Sequence, residues 1–317
     1  MNGIKKLAII PIEHTILKII IVIESKAPCQ KKSDRQVKFQ IKMLSLIFEK
    51  VLEYFLHEEN LIKYMCLIVL GWDIHPKYQL ILAANRDEFY ARPTQKAHKW
   101  SKEEFFAGKD LQAGGTWLGV NNQKIAAITN YRDPKNIKEN APSRGEIPIS
   151  FLKGSSFGNE YMRHLKDIAS DYNGFNFLTF DQTGLLHLNN QEKVINRLSP
   201  GIHALSNATI DSPWPKAIKA KEKLKRLLSM DFDHQMLIEM MNDTEMAEDK
   251  NLPQTGVPQE WEKALSAMCI RTENYGTCST SVITIDRVGN GSFTEKTYPV
   301  GNREEGLVNF NFQLISL

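Results

Sequence analysis

The feature that most constrains this chain is a pair of short apolar runs, the second of which ends in four consecutive polar residues. Residues 66–70 read CLIVL and residues 80–84 read LILAA. A His75–Pro76 turn separates the two runs, so the pattern predicts two strands of a buried hairpin. Asn85–Glu88, which reads NRDE, then follows directly. We interpret it either as a strand-ending turn with solvated charges or as the polar edge of a site.

Composition and charge describe an ordinary globular chain with a distinct N-terminal part. The 317 residues are 42% hydrophobic and 24% charged, which is typical of a globular protein. Residues 1–65 hold eleven Lys and Arg against seven Asp and Glu, a net charge of +4, and the whole chain carries +3. Residues 66–317 therefore sit near −1, and charge gives no case for nucleic-acid binding by this part.

The cysteine pattern argues against a zinc site and a disulfide framework. The four cysteines are Cys29, Cys66, Cys269 and Cys278, with no CxxC pair, and the eight histidines show no HExxH spacing. Scattered cysteines fit the reduced thiols of a cytoplasmic protein. Neither a P-loop nor a GxGxxG motif after a strand is present. We therefore predict a cytoplasmic protein with no metal and no required cofactor.

Residues 1–64 differ from the rest of the chain. Their apolar stretch, 7–23, is interrupted by a proline and by charged residues, so it does not predict a membrane span. It also lacks the small-residue cleavage site of a signal peptide. Two interpretations stay open: a genuine extension of unknown role, or sequence upstream of a true start at Met65. On the second, residues 1–64 pack loosely, and residues 66–317 form the working domain.

The order of elements predicts the fold class. Strands come first, helices fall in the middle and strands return at the end, which favours an α+β fold with antiparallel sheets covered by helices. Residues 92–108 read as a loop or short helix. Ser143 and Glu146 have the spacing of a capping box at a helix start.

Several ordered blocks resemble one known family. They are Met65–Cys66, LILAANRDEFYARP, GGTWLG, Thr129–Asn130–Tyr131, Ser143–Arg144–Gly145, YNGFN, LSN followed by Trp214, and Tyr275–Gly276–Thr277. The sequence resembles the NRDE family, whose animal members are called transport and Golgi organisation proteins. Members begin at the Met–Cys pair, so residues 1–64 have no counterpart. The family has been linked to haem trafficking and to lipid and coenzyme A metabolism.

A weaker resemblance reaches the N-terminal nucleophile hydrolases, nearest the bile-salt hydrolase and penicillin V acylase group. It implies an αββα sandwich of antiparallel sheets covered by helices, with Cys66 as the first residue of the working protein. It also implies catalytic roles for Asp87, Asn130 and Asn207. Two departures stand out. The arginine of those enzymes precedes the aspartate by three residues, whereas Arg86 is adjacent to it, and Cys278 stands where the NRDE family's YGTR has arginine.

The chemistry of an N-terminal cysteine makes Cys66 a candidate nucleophile. A free α-amine has a pKa near 8 and a thiol one of about 8.5, so one residue carries both nucleophile and base. Asp87 would accept a hydrogen bond from the α-ammonium, and Arg86 would favour the thiolate. Asn130 and Asn207 fit an oxyanion hole. Taken singly, a cysteine in a strand is usually core, and asparagine is common in turns.

Further residues are candidates for contact with a substrate. Asn85 and Glu88 flank the predicted catalytic pair, Thr116 and Trp117 follow two turn glycines, and Arg144 begins a predicted helix. The alternative for Thr116 and Trp117 is a tight turn with a core tryptophan.

Two functions of different class follow. The first is a cysteine amidohydrolase or acyl transferase that acts on a small acylated molecule through the Cys66 thiolate. The second is a carrier that binds haem or an acyl lipid in the same pocket without turnover. A purely structural module fits poorly with polar residues that end buried strands.

Overall fold

The structure is a computed structural model, and it describes residues 66–102 and 104–315. The predictions for residues 1–64 fall outside these described residues. The described part is α+β and contains two antiparallel sheets with helices against them, which confirms the fold class that the order of elements predicted.

Six strands form the first sheet, which carries both apolar runs. Its strands are β1 (Cys66–Trp72), β2 (Tyr78–Phe89), β10 (Gly201–Leu205), β11 (Tyr275–Asp286), β12 (Asn290–Thr297) and β13 (Gly306–Gln313). The spatial order is β10-β1-β2-β11-β12-β13. Because β2 lies between β1 and β11, both of its edges are hydrogen-bonded.

Seven strands form the second sheet, in the order in which they occur in the chain. They are β3 (Thr94–Trp100), β4 (Phe105–Asp110), β5 (Leu118–Val120), β6 (Ile125–Asn130), β7 (Phe175–Asp181), β8 (Gly184–Asn189) and β9 (Val194–Arg197). Each pairs antiparallel with the next. Residues 131–174, which include two helices, connect β6 to β7, and the other connections are short.

The helices lie in two groups. They are α1 (Glu146–Lys153), α2 (Gly158–Ile168), α3 (Pro215–Leu227), α4 (His234–Met241) and α5 (Gln259–Ala264), with short 3-10 turns at Pro134–Asn136, Ala169–Asp171 and Asp249–Asn251. Apolar residues of α1 and α2 pack on the second sheet, and those of α3 and α4 pack on the first.

A third apolar cluster lies between the two sheets. Side chains alternate along a strand, so one face of β2 contributes Leu80, Leu82 and Ala84 to this inter-sheet core. The other face contributes Ile81 and Ala83 to the cluster against α3 and α4. Both faces of the strand are therefore covered, which explains why residues 80–84 form a continuous apolar run.

Two local predictions were wrong. Residues 92–108 form most of the β3–β4 hairpin instead of a loop or short helix. A register shift between Gln95 and His98 breaks the alternation that would reveal a strand. The capping box is also absent: α1 begins at Glu146 after Gly145, without a side-chain cap. The Glu146 carboxylate instead accepts a hydrogen bond from the Tyr172 hydroxyl at 2.7 Å.

The interpretation of Asn85–Glu88 as a strand-ending turn was wrong as well. β2 continues to Phe89, with Arg86 opposite both Cys66 in β1 and Ser279 in β11. The four polar side chains are buried, with exposed fractions between 1% and 6%. A charged tetrad is therefore enclosed inside a central strand, where burial is costly without compensation.

Candidate active site

Cys66 lies where the first strand of the domain meets a cavity. It is the first residue of β1, half-buried, and lines a cavity of about 540 Å³. The backbone N–H of Asp87 donates a hydrogen bond to its sulfur. Burial, and next the charge of Asp87, raise the pKa of the thiol to about 12. With its nitrogen in a peptide bond, Cys66 is thus a protonated thiol at neutral pH and needs a base to react.

Asp87 also lines the cavity, and its carboxylate is buried. The Thr277 hydroxyl, opposite it on β11, donates to Oδ1 at 2.6 Å. Oδ2 is buried and has no hydrogen-bond partner among the described residues. Burial raises the pKa of this carboxyl, and the positive charge of Lys216 is the largest opposing influence. Such an unsatisfied buried acceptor is rare in native proteins and calls for a donor.

Arg86 and Glu88 point from β2 into the wall of the cavity. The Arg86 guanidinium carbon lies 4.3 Å from the centre of the Trp117 ring, a cation–π contact. Its Nη2 is 3.4 Å from Glu88 Oε2, which also lies 3.5 Å from the Nε of Arg92. Arg86 Nη1 is buried without a hydrogen-bond partner in the described part of the chain. Burial raises the pKa of Glu88 despite these cations.

The two predicted oxyanion asparagines occupy different positions. Asn130 ends β6 and lines the cavity. Asn207 is buried behind it, and its Nδ2 donates to the backbone oxygen of Asn130 at 2.9 Å. The preceding Ser206 donates its hydroxyl to the backbone oxygen of Cys66 at 2.9 Å. The Ser206–Asn207 pair therefore connects Cys66 on the first sheet to Asn130 on the second.

Thr116, Trp117 and Arg144 form another wall of the cavity. A Cβ on Gly115 would come within 2.7 Å of the Gly145 backbone, so only glycine permits this approach. The contact is closed by a 3.0 Å hydrogen bond from the Thr116 nitrogen to the Gly145 oxygen. Arg144 donates from Nη1 to the Gly174 oxygen at 2.8 Å.

Asn85 is not brought to the cavity. It faces the opposite side of β2 from Arg86, as strand alternation requires. Its Nδ2 donates to the backbone oxygens of Met241 and Met268 at 2.9 and 2.8 Å, and its Oδ1 accepts from Thr280. These bonds connect β2 to the end of α4, so the Asn85 side chain stabilises the fold around the site instead of lining the cavity.

Sequence analysis missed Lys216, a buried lysine near Asp87. Lys216 is only 2% exposed, and its Nζ has no hydrogen-bond partner among the described residues. Burial lowers its pKa, and the charge of Asp87 is the largest opposing influence. A signal exists in the sequence: the buried positions Lys216, Ala220, Leu224 and Leu227 of α3 share helical spacing. Lysine at the first of these positions therefore marks a charge on the inner face.

Residues 66–102 and 104–315 contain no group of three or more His, Cys, Asp or Glu that could hold a metal ion. Within the same residues, no helix has the length and apolar character needed to cross a bilayer. Of the side-chain types that ligate haem iron, the cavity lining includes Cys66 and Tyr131.

Comparisons with known proteins agree with the motifs. The family model described as Transport and Golgi organisation 2 matches residues 65–299. The chain is 34% identical over 259 residues to "Transport and Golgi organization protein 2 homolog" of Bos taurus, which covers 74% of this chain and 93% of that protein. The Homo sapiens homolog is 32% identical with the same coverage. "Transport and Golgi organization protein 2" of Drosophila melanogaster is 27% identical over 265 residues, 74% of this chain and 92% of that protein. The chain belongs to the Transport and Golgi organisation 2 family.

Proposed function

We propose that this chain is an N-terminal-cysteine amidohydrolase or acyl transferase that uses Cys66 on a small acylated molecule. The observation that carries the proposal is a thiol at the start of a strand, beside a buried carboxylate oxygen without a donor. A free α-ammonium on Cys66 supplies that donor, because the Asp87 backbone already contacts the Cys66 sulfur. Asp87 then orients the amine next to the thiol.

The reaction proceeds in two halves. The neutral α-amine takes the proton of the Cys66 thiol as sulfur bonds to the acyl carbonyl carbon, and the carbonyl π electrons move to oxygen. The Asn130 side chain donates to this oxyanion. When the oxyanion collapses, the C–N or C–S bond to the leaving group breaks, and the ammonium returns its proton to that group. Water or another acceptor then attacks the thioester and restores the thiol.

Asn207 acts in this scheme by positioning Asn130. Its carboxamide holds the backbone oxygen at the end of β6, and Ser206 holds the backbone oxygen of Cys66. The distance between nucleophile and oxyanion donor is thereby fixed by two adjacent residues. Catalytic groups must be held within a few tenths of an ångström of their productive arrangement, so such support affects the rate directly.

The layer order supports a relation to the N-terminal nucleophile hydrolases. Apolar clusters join α1 and α2 to the second sheet, the second sheet to the first, and the first to α3 and α4. That is the αββα order of those enzymes. The mechanism also requires that the chain be cleaved between Met65 and Cys66, because an amide nitrogen has no basic lone pair.

Acyl transfer from an activated thioester tests the proposal. Purified protein that begins at Cys66 is mixed with a short-chain acyl thioester, quenched in acid and mapped by mass spectrometry. We expect one acyl group on Cys66 and none in the Cys66→Ser variant. Cys278→Ser is the matched control, because Cys278 is a buried thiol on β11, which β2 separates from β1 in the same sheet, and this variant should label normally.

Two other outcomes would overturn the proposal. If labelling of Cys278→Ser is lost while Cys66→Ser still labels, the nucleophile is misassigned. If the protein binds haem or an acyl lipid equally well with and without the Cys66 thiol, and no acyl-enzyme forms, the cavity belongs to a carrier.

A further inference from the structure

We propose that Lys216 is a positioning residue for the Cys66 site. Its buried ammonium acts through its charge on the buried Asp87 carboxylate, holds that carboxylate in the ionised form, and so sets the pH range in which the Cys66 thiol reacts. The inference rests on the proposed function in taking Cys66 as the reacting residue.

The first support is a pair of complementary unsatisfied atoms. Lys216 Nζ and Asp87 Oδ2 are both buried, and neither has a hydrogen-bond partner among the described residues. Each residue's charge is the largest favourable influence on the other. A buried charge without an opposite charge to offset it is strongly unfavourable, so each of these two charges makes burial of the other less costly.

The second support is that the surrounding charges are already neutralised. The charged and titratable groups that face Lys216 come from β1, β2, the segment after β6 and α5: they are Cys66, Asp87, Arg132 and Glu262. Arg132 and Glu262 form a buried ion pair at 2.9 Å. Their charges cancel to a large extent, which leaves Lys216 to act on Asp87.

The other cations near Asp87 are tied to different acceptors. Arg86 is paired with Glu88 at 3.4 Å. Arg271 donates from Nη1 to the Thr277 oxygen at 2.6 Å. Among the described cations around this carboxylate, Lys216 is therefore the one without a competing hydrogen-bond acceptor.

The third support is that the position is unfavourable for a lysine on structural grounds. Lys216 is in the first turn of α3, where the helix dipole disfavours a cation. Burial disfavours it again and lowers its pKa. Because a methionine of similar length would pack on the same face without either cost, a retained charge here indicates a role beyond packing.

The test measures alkylation of Cys66 by iodoacetamide against pH in the full-length chain, with the Cys66 peptide quantified by mass spectrometry. In Lys216→Met the Asp87 carboxyl should take up a proton more readily. Because the charge of Asp87 raises the pKa of the Cys66 thiol, the curve should then move to lower pH by about one unit, which is about tenfold faster alkylation at neutral pH. The two curves should converge at alkaline pH, where Lys216 itself loses its proton. Lys216→Arg, which keeps the charge, should stay close to the original curve.

Two lysines serve as matched controls. Lys124 is equally buried, but its Nζ donates to the Phe151 oxygen at 3.0 Å on the far side of the second sheet. Lys219 is one turn along α3 and pairs with Asp243 at 2.7 Å. Lys124→Met should lower the melting temperature, and Lys219→Met should change little. Neither should displace the alkylation curve.

The outcomes separate this inference from the proposed function. An undisplaced curve for Lys216→Met, or the same displacement for Lys216→Arg, overturns the electrostatic role. If Lys216→Met does not fold, Lys216→Gln, which keeps a polar tip without charge, is measured by the same criterion. A displaced curve in a protein that never forms an acyl-enzyme would sustain the role of Lys216 and overturn the enzymatic function instead.

Discussion

The two halves of β2 are equally buried but chemically opposite. Residues 80–84 have exposed fractions of 0–7%, and residues 85–88 have exposed fractions of 1–6%. The first half fills two apolar clusters. The second half holds a guanidinium and two carboxylates, with Arg86 Nη1 and Asp87 Oδ2 unsatisfied in the described structure.

Burial alone therefore does not distinguish a core residue from a residue of the candidate site. What separates them is whether the buried groups are satisfied, since unsatisfied polar atoms cost stability and persist where they serve another purpose. The apolar half of β2 therefore stabilises the fold, whereas the unsatisfied polar atoms of the other half, next to Cys66, destabilise it.

We expect the largest loss of stability from a substitution in the apolar half of β2. Leu82→Ala removes a side chain that is 1% exposed in the inter-sheet core. It should lower the free energy of unfolding by about 2–5 kcal/mol, measured by denaturant titration. The pH curve of Cys66 alkylation should be unchanged at temperatures where the variant is folded. A cost below about 1 kcal/mol would contradict the division of the strand.

We expect the next largest effect from a substitution in the polar half of β2. Asp87→Ala removes the acceptor of the Thr277 hydroxyl and leaves Lys216 without its counter-charge. Acylation of Cys66 should be lost, and the free energy of unfolding should fall by about 1–3 kcal/mol. Asp87→Asn is the control that separates charge from hydrogen bonding: it keeps an acceptor for Thr277, so it should fold well yet remain inactive. Normal acylation in either variant would mean that the carboxylate has no part in the reaction.

A conservative substitution of Arg86 should have a smaller effect and tests the role of its guanidinium. Arg86→Lys keeps the charge but loses the planar group stacked on Trp117 at 4.3 Å. We expect a loss of about 0.5–1 kcal/mol of stability. The acylation rate should fall several-fold, because the cavity wall loses its rigid element. Trp117→Phe should reproduce part of the effect, whereas an unchanged rate in both variants would restrict the stack to packing.

Much of this arrangement could be predicted from the amino-acid sequence. The two apolar runs, the hairpin ending at Asn130 and the α+β class follow from period and turn residues, and the structure confirms them. The catalytic roles given to Cys66, Asp87 and Asn130 remain predictions.

Other features could not be predicted, because they depend on tertiary contacts. A polar tetrad normally ends a strand, and only pairing with both β1 and β11 keeps Asn85–Glu88 inside one. Lys216 looks like one of many lysines in a basic helix until the packed face of α3 is known. Asn85 and Arg86 are adjacent in sequence, and strand alternation sends them to opposite faces.

The smallest predicted effect is a pH dependence within the polar half. Burial raises the pKa of Glu88 above its ordinary value of 4.5. A carboxyl with a raised folded-state pKa favours folding below its unfolded pKa, and this contribution is lost as pH rises through the folded value. The stability of the original protein relative to Glu88→Gln should therefore fall as pH rises from about 4 to about 8. A rise over that range, measured by denaturant titration at each pH, would contradict the burial argument.

If Cys66 reacts with the help of its own α-amine, then releasing that amine by proteolysis should start acylation. A specific protease site is placed immediately before Cys66 in the full-length chain, and acylation by a short-chain thioester is followed before and after cleavage. We predict that an acyl-enzyme on Cys66 accumulates only after cleavage, because only then can the amine take the thiol proton. Equal acylation of the uncleaved chain would contradict it.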